Sequence, residues 1–228
     1  MQIYEIFNSI EGLGLRQGSL STFIRTFSCN LNCSYCTAEY CVNPTSDEDL
    51  NGYTVMSVDE ILDEVADYGN KCVTILGGEP LLQKDLPELV AALLGDGYLV
   101  TIETQGASDL KTFESKMVDI LADDENLNNL QYVLDYKLPF STMEDRMLTA
   151  NINFLIDNDT LLFNVATVGD LDAVSALLEE FEPPAMVFMV PYQLNDEVII
   201  NHLRENNIQK VRIQHNLRKD IYGDDMHA

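Results

Sequence analysis

Apolar residues along this chain follow two rhythms that take turns. Short continuous runs rich in Val, Ile, Leu, Phe and Tyr alternate with longer stretches in which apolar positions recur at helical spacing. The runs predict strands over residues 21–27, 72–76, 98–102, 132–136, 161–166, 185–190 and 210–214. A looser alternation over 2–7 predicts an edge strand. Between them, helices are predicted over 86–94, 110–122, 143–155, 171–181 and 197–205. A further helix follows Ser57, whose spacing from Glu60 is that of a capping box; Val58, Ile61, Leu62 and Val65 mark its apolar face. Residues 10–18, with three glycines, read as a loop, and 37–53 read as a polar, irregular excursion.

Strand and helix in regular alternation, with strands apolar throughout, imply a parallel sheet covered by helices and joined by right-handed crossovers. Six strand–helix units are fewer than the eight of a closed barrel. The expected fold is therefore α/β, a partial and open (β/α)6 barrel of TIM type, with a doubly wound open sheet as the alternative. No repeat or low-complexity segment divides residues 1–228, so a single domain is expected.

In such a barrel the residues just after each strand face the active site. The first core strand runs into Cys29-Asn30-Leu31-Asn32-Cys33-Ser34-Tyr35-Cys36, three cysteines spaced Cys-x3-Cys-x2-Cys. Three thiolates can hold three corners of a [4Fe–4S] cluster and leave one iron open for chemistry. Zinc would need a fourth ligand, and His202, His215 and His227 all lie far downstream, which leaves only Cys41 nearby. A disulfide framework suits neither five cysteines nor a start that holds Glu5 and lacks a signal peptide's apolar core. Cys41 and Cys72 are taken as non-ligands, Cys72 as a small core hydrophobe. The next strands run into Gly77-Gly78-Glu79-Pro80, Glu103-Thr104-Gln105-Gly106 and Asp135-Tyr136-Lys137. Adjacent glycines allow close backbone approach to a ligand, and the carboxylates can accept from a cationic one.

Composition narrows the partners. The net charge is −25, and residues 1–40 carry only −1 of it (Glu5, Glu11 and Glu39 against Arg16 and Arg25). Such a chain would repel a phosphate backbone, so no nucleic-acid partner is expected. No stretch approaches 18 consecutive apolar residues, so no membrane partner is expected and a cytoplasmic location is.

The cysteine spacing, with an aromatic residue before the last cysteine, resembles that of radical S-adenosylmethionine (SAM) enzymes, and Gly77-Gly78-Glu79-Pro80 resembles their SAM-amino-group motif. Beyond that superfamily the chain resembles the 7-carboxy-7-deazaguanine synthase family, and particularly its clostridial-type branch. The likeness rests on Ile6-Phe7-Asn8-Ser9-Ile10-Glu11-Gly12, Phe23-Ile24-Arg25, the cysteine loop and Glu103-Thr104-Gln105-Gly106. It continues through Asp135-Tyr136-Lys137-Leu138-Pro139, Met143-Glu144-Asp145-Arg146-Met147-Leu148 and Arg212-x-Gln214.

The resemblance implies a ring-contracting lyase that turns 6-carboxy-5,6,7,8-tetrahydropterin into 7-carboxy-7-deazaguanine with release of ammonia, for queuosine-type biosynthesis. It implies a [4Fe–4S] cluster on Cys29, Cys33 and Cys36. SAM would be held by Tyr35, Thr37, Gly78, Glu79, Asp135 and Lys137. One electron from a flavodoxin- or ferredoxin-type donor would cleave SAM to a 5′-deoxyadenosyl radical that abstracts hydrogen from the pterin. Ile10, Glu11, Gly12, Arg25, Leu76, Glu103 and Gln105 would form the substrate pocket. Arg25 has two readings, a fork for a pterin carboxylate or an ordinary ion pair at a strand end. A homodimer is one assembly this allows.

The departures gather at substrate and magnesium positions. Gly12-Leu13-Gly14 stands where the family has Gly-Glu-Gly, and Leu76 where it has threonine. Thr37-Ala38 replaces Asp-Thr, so Ala38 offers no oxygen to Mg2+. Arg218 and Tyr222 replace a His and a Trp, and the tail 224–228 differs as well. Three alternatives follow: the same radical applied to another small molecule, a glycyl-radical-activating enzyme, and a zinc-stabilised binding module.

Overall fold

The computed structural model describes residues 1–36, 38, 52–121 and 124–223, with backbone only at 124–126. Among these residues nine strands form one continuous sheet. They are β1 (Gln2–Ile10), β2 (Leu20–Thr26), β3 (Thr54–Val55), β4 (Cys72–Gly77), β5 (Leu99–Gln105), β6 (Leu130–Asp135), β7 (Thr160–Val165), β8 (Met186–Pro191) and β9 (Val211–Ile213), in the order β3-β1-β2-β4-β5-β6-β7-β8-β9. From β2 to β9 every neighbouring pair is parallel, whereas β1 runs antiparallel to both β2 and β3. β3 and β9 end the sheet without pairing, so the barrel stays open. The helices are α1 (Val58–Tyr68), α2 (Leu86–Gly95), α3 (Leu110–Val118), α4 (Ala150–Phe154), α5 (Val168–Glu180), α6 (Asp196–Glu205) and α7 (Leu217–Tyr222). No helix among the described residues is long and apolar enough to cross a membrane.

The period of two along each strand divides the sheet into two unlike faces. Ile24, Ile75, Ile102, Leu134, Phe163 and Met189 point outward and merge with Ile61, Leu89, Leu110, Leu171 and Ile199 of the helices into one large core. Burying each such side chain stabilises the fold by about 1.5–3 kcal/mol, which makes this layer the main source of stability. The register puts Ser21, Phe23, Arg25, Thr74, Leu76, Thr101, Glu103, Gln131 and Asp135 on the other, concave face. Among the described residues that face holds two small apolar groups: Phe7, Phe23 and Leu76, and Val133, Leu162 and Val190 with Leu13 against them. Cys72 is buried at the start of β4, as a small hydrophobe should be.

Local signals held where no distant group competed. Ser57 and Glu60 form the expected capping box on α1, and Gly69 ends that helix at φ 68°. They failed where tertiary hydrogen bonds intervened. Residues 143–155, predicted as one helix, form a 3₁₀ turn at Glu144–Arg146 followed by the short α4. The Gly106 carbonyl accepts from Leu148 N–H at 2.8 Å, and the Asn151 amide bridges Gly106, Ser108 and Leu110. β5 runs to Gln105 rather than stopping at 102, because its pairing with β6 continues to Asp135. β1 lies inside the sheet edge, and α7, absent from the predicted set, is capped by Asn216.

Asp170 was also missed, and its bonding explains how the active end is braced. It is fully buried: one carboxylate oxygen accepts from Phe140 N–H at 2.9 Å, the other from the Ala166 and Thr167 amides and the Thr167 hydroxyl. It thus closes the capping box of α5 and ties that helix to the turn at Pro139–Ser141. Asp170→Asn turns an N–H donor toward these donors. It should lower unfolding free energy by about 2–4 kcal/mol, read from the urea midpoint at unchanged m-value; a shift below about 0.5 kcal/mol would show that the network is not load-carrying.

Candidate active site

The cysteine loop leaves β2 through Ser28, held at φ 83°. Beneath it Gly77 and Gly78 let the end of β4 lie directly on this exit. The Gly78 N–H donates to the Thr26 carbonyl at 3.1 Å and the Glu79 N–H to Ser28 at 2.8 Å. A Cβ at Gly77 would overlap the Thr26 backbone, and one at Gly78 would overlap the Ser28 carbonyl. The far side of the loop is fixed by Ser34, whose N–H donates to Ser141 O at 3.0 Å and whose hydroxyl donates to Phe140 O at 2.5 Å.

Cys29, Cys33 and Cys36 are free, half-exposed thiols on this loop. Burial raises Cys29 and pushes Cys33 up to about 11; Lys137 opposes the shift in both, and the thiols add to each other's. Binding to iron would displace those protons. Among the described residues no three His, Cys, Asp or Glu side chains gather round one point as a mononuclear metal requires. A cubane instead places each thiolate on its own iron, so this donor set fits the cluster. Ala38 has no side-chain oxygen to offer a magnesium ion, and Thr37 and Cys41 lie outside the described residues.

Opposite the thiols, Lys137 Nζ donates to Asp135 Oδ2 at 2.6 Å and lies 5.4 Å from the centre of the Tyr35 ring. Burial alone would lower the Lys137 ammonium, but Asp135, Tyr35 and Cys33 together raise it, so it stays charged. Asp135 Oδ1 is buried with no hydrogen-bond partner among the described residues. Tyr35 stacks with Phe140 at 6.0 Å and meets Tyr192 at a tilt at 5.0 Å, which builds an aromatic wall beside the loop. Strand-end reasoning stopped at β6; carried on to the end of β8, it would have found Tyr192.

Two expected ligand contacts have other duties. Glu79 is fully buried and accepts from Leu81 N–H at 3.0 Å, Thr104 hydroxyl at 2.7 Å and Gln105 N–H at 3.0 Å. Its carboxylate therefore locks the Gly-Gly turn to β5, and burial holds it up at about 7. Gln105 donates to Asn30 at 2.8 Å and accepts from Ala107 N–H, so it braces the cysteine loop. Ile10 shares the strand parity of Ile6, which packs into the helix-covered core, so its side chain is turned from the pocket.

The remaining expected residues do meet in the concave face. Phe7 and Phe23 stack at 5.1 Å, with Leu76 packed against them and Arg25 lying 5.0 Å above Phe7. Arg25 pairs with Glu5 at 2.5 Å, so the ion-pair reading of this residue is realised. Glu11 is buried deeper and accepts from the Thr74 hydroxyl, which also bonds Ser21 at 2.9 Å. Burial, then the charge of Glu103, raises the Glu11 carboxyl to about 7 against the hydroxyls' opposing effect. Burial likewise raises Glu103, with Arg218 and then Arg25 lowering it. Gly12 lies under Arg218, where a Cβ would stand 3.2 Å from the Arg218 Cβ. Leu13 fills the space against Val133, Leu162 and Val190.

Because the folded carboxyl of Glu11 titrates above its unfolded value, its contribution is complete below about pH 4.5 and lost as pH rises through about 7. Glu11→Gln should flatten that slope, removing about 3 kcal/mol of pH dependence from chemical unfolding between pH 5 and 8. Parallel stability profiles for the two proteins would show that Glu11 is not the titrating group.

The family description Radical SAM superfamily matches residues 23–131, which span the cysteine loop, the Gly-Gly turn and β5. A 7-carboxy-7-deazaguanine synthase of Clostridium acetobutylicum is 35% identical over 97% of this chain and 96% of its own length. One of Methanospirillum hungatei is 32% identical over 97% and 85%. Among solved structures, the crystal structure of QueE from Escherichia coli superposes with TM-score 0.66 at 19% identity, covering 94% of this chain and 92% of that one. The crystal structure of Streptococcus suis SuiB gives TM-score 0.55 at 14% identity, over 85% and 48%. These two likenesses establish the fold, and with it the open barrel rather than the doubly wound sheet.

Proposed function

We propose that this chain, which belongs to the 7-carboxy-7-deazaguanine synthase family, is a radical SAM carbon–nitrogen lyase that converts 6-carboxy-5,6,7,8-tetrahydropterin to 7-carboxy-7-deazaguanine. The observation that carries this reading is a three-thiol loop opening beside a charged, aromatic-floored pocket, in a chain that matches relatives of that name end to end. The product belongs to queuosine-type biosynthesis.

Cys29, Cys33 and Cys36 would hold the [4Fe–4S] cluster. Gly78, Asp135, Lys137 and Tyr35 would hold SAM, the unpartnered Asp135 Oδ1 being an acceptor for one of its polar hydrogens. When bound, cluster and SAM supply a one-electron cleavage that yields a carbon radical for hydrogen abstraction. The protein's part is positional. The backbone contacts of Gly78 and Glu79 set the loop, Ser34 and Gln105 hold its flanks, and the Tyr35–Phe140–Tyr192 wall keeps water away. Phe7 and Phe23 offer the pterin a flat apolar floor, with Glu11 and Glu103 as acceptors for its ring N–H groups.

A flavodoxin- or ferredoxin-type protein would deliver the electron. A homodimer, a single domain over residues 1–228 and a cytoplasmic location complete the proposal.

Anaerobically reconstituted protein given SAM, reductant and the carboxypterin should form the deazaguanine and consume SAM in step. SAM cleavage without that product would move the chain to another substrate. Cys33→Ala should lose the absorption near 400 nm and, by removing one cluster ligand, at least about 10³-fold of turnover. A colourless, zinc-loaded wild type would overturn the cluster assignment itself.

A further inference from the structure

The strands leave a gap between the sheet's two ends, and the chain's last described segment crosses it. Gln214 and Gly14 exchange two hydrogen bonds, Gly14 N–H to Oε1 at 2.9 Å and Nε2 to Gly14 O at 3.0 Å. Gln17 Nε2 donates to Gly12 O at 2.9 Å and His215 O at 2.6 Å, and Leu217 N–H donates to Gly12 O at 3.0 Å. This strap anchors the start of α7 over the first loop and turns Arg218 into the concave face.

There the Arg218 guanidinium lies 4.8 Å from the centre of the Phe23 ring, and its Nη1 is buried with no hydrogen-bond partner among the described residues. Arg25, on the neighbouring ring of the same stacked pair, already has Glu5 at 2.5 Å. Among the described residues no acidic group lies within ion-pair distance of Arg218. Its influence on Glu103 exceeds that of Arg25, which places it at the same pocket. A buried guanidinium N–H without an acceptor is costly until a ligand supplies one. The apolar floor suits a flat ring, and a carboxylate on that ring would meet the unpaired edge of a fork built for carboxylates.

We propose that Arg218 anchors the carboxylate of the flat heterocyclic substrate and is the residue that distinguishes a carboxylated ring from a bare one. This rests on the pterin reading above. Arg25, in contrast, holds the floor in place through Glu5 and Phe7.

The test uses cluster-loaded, SAM-bound protein and two probes followed by their own fluorescence, aromatic 6-carboxypterin and pterin without the carboxylate. Wild type should bind the carboxylated probe more tightly. Arg218→Met should weaken that binding about 10- to 100-fold while leaving pterin within about twofold, and Arg218→Lys should restore part of the loss. In turnover the same variant should raise KM and leave kcat within about threefold, with cluster absorption and SAM binding unchanged. Equal loss for both probes would make Arg218 a structural residue and overturn the proposal. So would unchanged binding of the carboxylated probe, or a wild type that does not distinguish the two. Tight binding of aromatic 6-carboxypterin by a protein that cleaves SAM but does not convert 6-carboxy-5,6,7,8-tetrahydropterin would instead defeat the synthase reading and leave the anchor standing.

Discussion

The site depends on one close approach between two strand ends. At Thr26–Ser28 and Gly77–Gly78 the backbones lie so near that neither glycine could carry a side chain, and the two N–H···O bonds made there fix where the cysteine loop starts. Glu79 then fastens the same turn to β5 through Thr104 and Gln105, and Gln105 reaches on to Asn30 within the loop. Three successive strands thus hold the thiol loop by backbone and buried polar contacts, without needing the loop's own hydrophobicity. A loop built to hold a cluster keeps its sulfurs half-exposed, so its shape has to come from its neighbours.

The two faces of the sheet divide stability from chemistry. The outward face carries the continuous apolar core, and little that is polar interrupts it. The concave face buries Glu11, Arg25, Thr74 and Gln131 around two small apolar groups, an arrangement that is costly unless each charge is answered. Arg25 is answered by Glu5 and Glu11 by Thr74. Glu103 and Arg218 sense each other without closing to an ion pair, which keeps both open to a ligand of mixed polarity. Leu13 packs where the family resemblance expects an acid, so the pocket is more apolar along β6–β8 and its cations weigh more.

Open barrels must also close their seam. Here the Gln214–Gly14 exchange and the Gln17 bridge bring residues some 200 positions apart into one wall, and a pocket residue, Arg218, arrives with them. Asp170 plays the corresponding part at the other flank by joining α5 to the turn that carries Phe140.

Much of this was legible in the residues. Continuous apolar strands alternating with helices specified a parallel α/β sheet, barrel or doubly wound, because side-chain period and burial are local properties of the chain. The cysteine spacing and the tetrapeptides at Gly77, Glu103 and Asp135 marked the active end for the same reason: a short motif carries its own chemistry. What the residues could not say was how each polar group would be spent. Glu79 and Gln105 are expected as ligand contacts, but the hydrogen bonds that tie them to Thr104, Asn30 and their own turns do not show in the sequence, and Arg25 keeps two readings until the β1–β2 register places Glu5 opposite it. The 143–155 segment has helical periodicity but lost its middle to Gly106. The resemblance marks Arg218 as a changed position, but only the strap brings its guanidinium over Phe23. Hydrogen bonds and ion pairs are settled by whichever partner the fold brings within about 3 Å, and a linear sequence does not contain that distance.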